Sequence, residues 1–89
     1  MKTLKNIREE YGITQEELAD AFGVTSRTIQ NMEKDSSNIK DSLLKKYIQA
    51  FDLKYDEIFL GSEYEIFEFQ KKKKLKILLM FNESPKVDN

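Results

Sequence analysis

Ser26, Arg27, Gln30 and Asn31 are short or planar side chains rich in hydrogen-bonding groups. Such groups match the donors and acceptors that base edges present in a DNA groove. This chemistry needs no nucleophile and no metal. It needs a stiff element that turns all four side chains the same way. Ile29 and Met32, interleaved among them, supply the opposite, apolar stripe of a short helix.

The element that positions them runs from Thr14 to Lys34 and reads as two short helices joined by a tight turn. Thr14-Gln15-Glu16-Glu17 has the form of a capping box. Leu18, Ala21 and Phe22 recur at helical spacing, and Gly23 can end that helix in the left-handed conformation. Val24 is expected to plug the space under the turn, and Thr25 offers a second N-cap. Two helices crossing steeply need a small residue at the crossing, a turn residue tolerant of positive φ, and an apolar anchor on the second helix. Ala19, Gly23 and Ile29 supply these in order.

The ordered run ITQEELA followed by GVT carries a resemblance. Residues 4–60 resemble the helix-turn-helix family of phage repressors, Cro proteins and XRE-type bacterial regulators, through LKNIREEYGITQEELADAFGVTSRTIQNMEK and YDEIF. The resemblance implies an all-α fold, a five-helix repressor-like DNA-binding domain over residues 1–61. It lays a third helix, Ser26–Lys34, in the major groove with its N-terminal residues at base edges. Ser26, Arg27, Thr28 and Asn31 are then the base-reading candidates. Arg27 can fork onto guanine or hold a phosphate; Asn31 can bond adenine twice; the Thr28 methyl can pack on thymine. Gln15 matches the family's phosphate-contacting glutamine, at a helix N-terminus whose free N–H groups also suit a phosphate. Thr25, Gln30, Lys34, Ser37 and Asn38 complete the expected backbone contacts. Where the family often has Gly after the recognition helix, this chain has Asp35, which can adopt the left-handed conformation only at a cost. Ser36, Ser37 and Asn38 are either phosphate donors or a solvated loop. The competing reading of the spacing alone is an αα-hairpin in a small bundle with no nucleic-acid role.

Bulk properties narrow the field. The 89 residues suffice for one domain and a small core, which a dimer contact would help to stabilise. With no Cys and no His, disulfides, thiol nucleophiles, the usual zinc sites and the common catalytic triads are excluded. No cofactor is expected, and adjacent acids such as Glu9-Glu10 and Glu16-Glu17 point to different sides of a helix, so no enzyme is expected either. No apolar leader or membrane-length run is visible, so a soluble cytoplasmic protein is expected. The net charge is −1, whereas nucleic-acid binders are often basic. Placement must therefore compensate: acids gather at Glu9, Glu10, Glu16, Glu17 and Asp20, and cations at Arg27, Lys34, Lys40, Lys45 and Lys46.

The remaining segments read as follows. A first helix spans Thr3 to Tyr11, with Leu4, Ile7 and Tyr11 as its stripe and Gly12 at its end; Lys5 and Arg8 lie off the stripe, on a solvated face or near a phosphate. A fourth helix starts near Asp41 and ends near Phe51, on Leu44, Tyr47, Ile48 and Phe51. Leu53 to Phe59 reads as a short fifth helix that starts irregularly at Lys54. Residues 62–89 form a C-terminal extension. Its segments YEIFEF, QKKKK and LKILLMF suit either a β-hairpin or a helix, and Asn82 to Asn89 reads as frayed. So much apolar surface must pack on the domain, on a second copy, or both.

The leading expectation is a regulator, a repressor or Cro-like switch, that binds double-stranded DNA at a palindromic operator as a homodimer held by the extension. Two recognition helices about one DNA turn apart, roughly 34 Å, would enter successive major grooves. The alternative is an interaction module of the same fold, such as an antitoxin, whose protein partner grips LKILLMF.

Overall fold

A computed structural model describes residues 1–82. Five α-helices follow one another: α1 Leu4–Glu10, α2 Gln15–Phe22, α3 Ser26–Lys34, α4 Asp41–Phe51 and α5 Glu63–Asn82. The expected fifth helix over 53–59 is only a single 3-10 turn, Tyr55–Glu57. Its start at Lys54 has no side-chain acceptor for the next turn; the Glu57 carboxylate instead accepts from the Lys54 N–H at 2.8 Å. The extension is the helix of the two alternatives. Of the frayed end expected over 82–89, Asn82 is the last residue of α5, and the rest lies outside the described residues.

Each boundary has a local cause. Thr3 accepts from the Asn6 N–H and starts α1. At α2 both arms of the capping box close, Thr14 Oγ1 on the Glu17 N–H and Glu17 Oε1 on the Thr14 N–H. These bonds hold the Glu17 carboxyl below its ordinary range. Gly23 at φ 70° ends α2, and Thr25 caps α3 through the Thr28 N–H. Asp35 is not left-handed: at φ −146° it is extended. Its carboxylate accepts from the Ser37 hydroxyl and N–H, which lowers its pKa and shapes the loop without a glycine.

Leu4, Ile7, Leu18, Ala19, Phe22, Ile29, Leu43, Leu44, Tyr47, Phe51 and Ile58 form the core, to which all of the first four helices contribute. Tyr11, expected in the α1 stripe, is 61% exposed and only leans on Phe51 at the rim, ring centroids 5.3 Å apart. The N-terminus is tied to the far end of the domain: Lys2 donates to the Glu57 carbonyl and accepts from the Phe59 N–H. Ser36 is not a solvated loop residue or a phosphate donor. It is fully buried, and it bonds Gly61 three ways, through Ser36 N–H to Gly61 O, Ser36 Oγ to Gly61 O, and Gly61 N–H to Ser36 Oγ. This clasp joins the exit of α3 to the entry of α5.

Tyr47 is fully buried, and its hydroxyl has no hydrogen-bond partner among the described residues. Burial, and then the nearby Glu33 charge, push its pKa far above that of an ordinary tyrosine. A folded pKa raised in this way contributes stability that is complete below the unfolded value of about 10 and falls as pH rises beyond it. Tyr47→Phe is therefore expected to leave stability at neutral pH unchanged or raised by up to about 1 kcal/mol. It should also flatten the alkaline arm of a pH–stability curve measured by denaturant melts. A loss of 2 kcal/mol or more would mean that the hydroxyl is bonded.

Candidate nucleic-acid interface

Helix α3 has two unlike faces. Ile29 is fully buried and Met32 packs half-buried against the core, while Arg27, Gln30, Asn31 and Lys34 are exposed. Ala19 and Ile29 are buried where α2 and α3 pack together, and Gly23 makes the corner between them. Ser26 and Thr28 are half-buried at the start of the helix. The Thr28 hydroxyl shares a 3.0 Å hydrogen bond with the hydroxyl of the N-cap residue Thr25. Of the sequence-predicted readers, Arg27 and Asn31 stand most freely in solvent, one helical turn apart.

Behind the exposed face lies a group that the sequence reading misplaced. Arg8 is neither solvated nor available to a phosphate: it is 8% exposed and pairs with Glu33 of α3, which is equally buried. The guanidinium donates Nε to Glu33 Oε2 at 2.6 Å and Nη2 to Oε1 at 3.0 Å, a forked pairing, and Nη1 to the Ile13 carbonyl at 2.7 Å. The bond to Glu33 raises the Arg8 pKa against the opposing effect of burial. Gln15 Nε2 adds a third donor to the same carboxylate at 2.9 Å. One carboxylate on α3 thus gathers α1 and the first turn of α2, and the Arg8 that it holds fastens the loop between them. A signal was present. Arg8 follows Leu4 by four residues and Glu33 follows Ile29 by four, so both charges sit at apolar-stripe spacing.

The expected backbone contacts divide. Gln15 is half-buried, with its amide nitrogen held by Glu33, so its side chain has one defined orientation beside the α2 N-terminus. Thr25, Gln30 and Asn38 are exposed. Ser37 is exposed but engaged by Asp35. Lys34 is exposed and lies 4.0 Å from Glu63 at the start of α5, a contact weak enough in water to yield to a phosphate. Lys46, one of the cations expected on the basic side, turns its ammonium to the Phe22 carbonyl at the C-terminus of α2. No helix among the described residues is long and apolar enough to cross a membrane.

Two short helices packed on each other around a left-handed glycine corner, the second bare and polar on its outer face, form a helix-turn-helix. The helix-turn-helix family model matches residues 4–58. The chain therefore belongs to the XRE-type helix-turn-helix family of DNA-binding transcription regulators. Among its relatives is an uncharacterised HTH-type transcriptional regulator of Archaeoglobus fulgidus, 37% identical over 65 residues, spanning 73% of this chain and 92% of that protein. A second, from Bacillus subtilis, is 32% identical over 56 residues, spanning 63% of this chain and 85% of that one. A putative HTH-type transcriptional regulatory protein of Pyrococcus abyssi is 34% identical over 84 residues, spanning 75% of this chain but 27% of its own length.

Proposed function

We propose that the protein is a sequence-specific, operator-binding regulator that acts as a homodimer in the cytoplasm and represses by occupying a promoter. The observation that carries this is the outward display of Arg27 and Asn31 on a helix whose other face is locked by Ile29 and Glu33. In this reading α3 enters the major groove, with Ser26, Arg27, Thr28 and Asn31 at base edges. Gln15 and the free N–H groups of the α2 N-terminus take one phosphate, and Thr25, Gln30, Lys34, Ser37 and Asn38 line the adjoining backbone. A dimer with two half-sites about one helical turn apart reads a palindrome.

Sites selected from random DNA, followed by mobility shifts across a salt series, test the proposal. The expected result is an inverted repeat, bound at least ~10³-fold more tightly than random DNA of equal length. Its affinity should fall steeply with salt, since each neutralised phosphate contributes a slope of about −0.9. Binding that never exceeds that of random DNA at any salt would end the reading.

A further inference from the structure

Helix α5 continues well beyond the domain, and the molecule measures 53 × 25 × 23 Å. Its domain side is settled. Ile66 and Phe69 are half-buried, Phe69 stacks on Phe59 with centroids 4.2 Å apart, and Lys73 donates to the Met1 carbonyl at 2.8 Å. The opposite side carries Tyr64, Phe67, Leu75 and Leu78, which are 71%, 60%, 47% and 47% exposed. Counted from Lys71, these four stand at −7, −4, +4 and +7. Each step is close to a whole number of turns, so they form one stripe, and the spacing reads the same from either end.

We propose that this stripe pairs with itself: α5 of two copies lie antiparallel about a two-fold axis at Lys71. Tyr64 then meets Leu78 of the second copy, and Phe67 meets Leu75 of the second copy. An isologous contact requires a self-complementary surface, and a stripe with this symmetry is one. Charge selects the orientation. The first half of α5 bears Glu63, Glu65 and Glu68, and the lysines run from Lys71 to Lys74 and on to Lys76. A parallel pair would set acid on acid and base on base, whereas an antiparallel pair sets each half against its opposite. Glu68 and Lys72 lie toward the same edge of the stripe, three residues before the axis and one after it. The pairing brings Glu68 within about 3 Å along the axis of Lys72 of the second copy. The tip, Leu79 to Phe81, reaches residues 61–63 of the second copy. This matters because residues 75–81 are apolar nearly all round, and such a turn is stable only when covered. The two Lys71 ammonium groups face each other across the axis and weaken the pair.

The inference rests on the dimeric reading above and names the surface that makes the dimer. It also ties the dimer to α3, because the Ser36–Gly61 clasp joins the exit of α3 to the entry of α5.

The chain contains no cysteine, so a single introduced thiol reports cleanly. In the full chain, Lys71→Cys is expected to form a disulfide-linked dimer under mild oxidation. At the axis of a close helix pair the two Cα atoms fall within the roughly 4.4–6.8 Å that a disulfide needs. The exposed control Lys45→Cys, on α4, should not cross-link. By analytical ultracentrifugation, Lys71→Leu should tighten the dimer at least ~10-fold by removing the facing charges, and Leu75→Glu should loosen it at least ~10-fold. Cross-linking of Lys71→Cys no faster than Lys45→Cys overturns the pairing. So does a Lys71→Leu variant that associates no better than the parent, or a monomer that floats with anionic vesicles. If the cross-link fails while palindromic operator binding persists, the surface is wrong and the regulator stands. If the cross-link forms and no operator is found, the pairing stands and the regulator does not.

Discussion

Glu33→Ala is expected to cost about 3–5 kcal/mol of folding stability, the range seen when one partner of a buried ion pair is removed. The cause is the group left behind. Arg8 stays charged at any accessible pH, it is almost wholly buried, and the variant strips two of its three hydrogen bonds. A chain of 89 residues has a total stability on the order of 5–10 kcal/mol, so the loss takes a large share of it. Thermal melts followed by circular dichroism should show a midpoint lowered by tens of degrees, since each kcal/mol is worth about 4–8 °C in a small domain. The paired variant Arg8→Met with Glu33→Leu separates the loss of attraction from the stranded charge. It should recover most of the stability, because an apolar pair of similar volume removes the desolvation penalty altogether. A cost below about 1 kcal/mol for Glu33→Ala would mean that water reaches the pair and that it behaves as a surface contact. The double variant also asks a functional question. Gln15 loses its acceptor even where stability is restored, so DNA affinity should stay reduced if Gln15 contacts phosphate.

Arg27→Ala is expected to have the opposite profile. The side chain is exposed and shows no hydrogen bond or ion pair among the described residues, so the melting midpoint should not move by more than the equivalent of about 0.5 kcal/mol. Operator affinity should fall by about 1–3 kcal/mol per half-site, and discrimination at one base pair of each half-site should relax. A mobility shift against the selected site and its single-base variants measures both. Arg27→Lys distinguishes the two ways in which Arg27 could act. An ammonium keeps the charge but cannot fork onto guanine, so it preserves a phosphate contact and loses base discrimination. Affinity lost equally on every sequence, with discrimination intact, would move Arg27 from the base edges to the backbone. No change in either would remove it from the interface.

Sequence was most informative where local physics decides. The capping box at Thr14, the left-handed Gly23, the cap at Thr25 and the stripe of Ile29 and Met32 depend on residues within a few positions of one another, and each stands where its spacing required. The outward set of Arg27, Gln30 and Asn31 follows from the same arithmetic, since a helix with one buried stripe must expose the rest. Sequence was least informative about polar groups whose partners are distant in the chain. Arg8 and Glu33 are 25 residues apart, as are Ser36 and Gly61, and a lone arginine or serine looks solvated until its partner is known. The extension was ambiguous for a related reason. Alternating aromatics and a lysine run allow either period, and contacts with the domain, Phe69 on Phe59 and Lys73 on Met1, decided for the helix.

By itself, then, the amino-acid order determined the paired helices, their corner and the polar side chains they turn to solvent, because those are matters of spacing and backbone conformation. Only the folded chain decided which charge is buried, which serine fastens the exit of α3, and that Asp35 needs no glycine's conformation. Those outcomes depend on desolvation and on partners brought together from opposite ends of the domain, and neither is written in a local window.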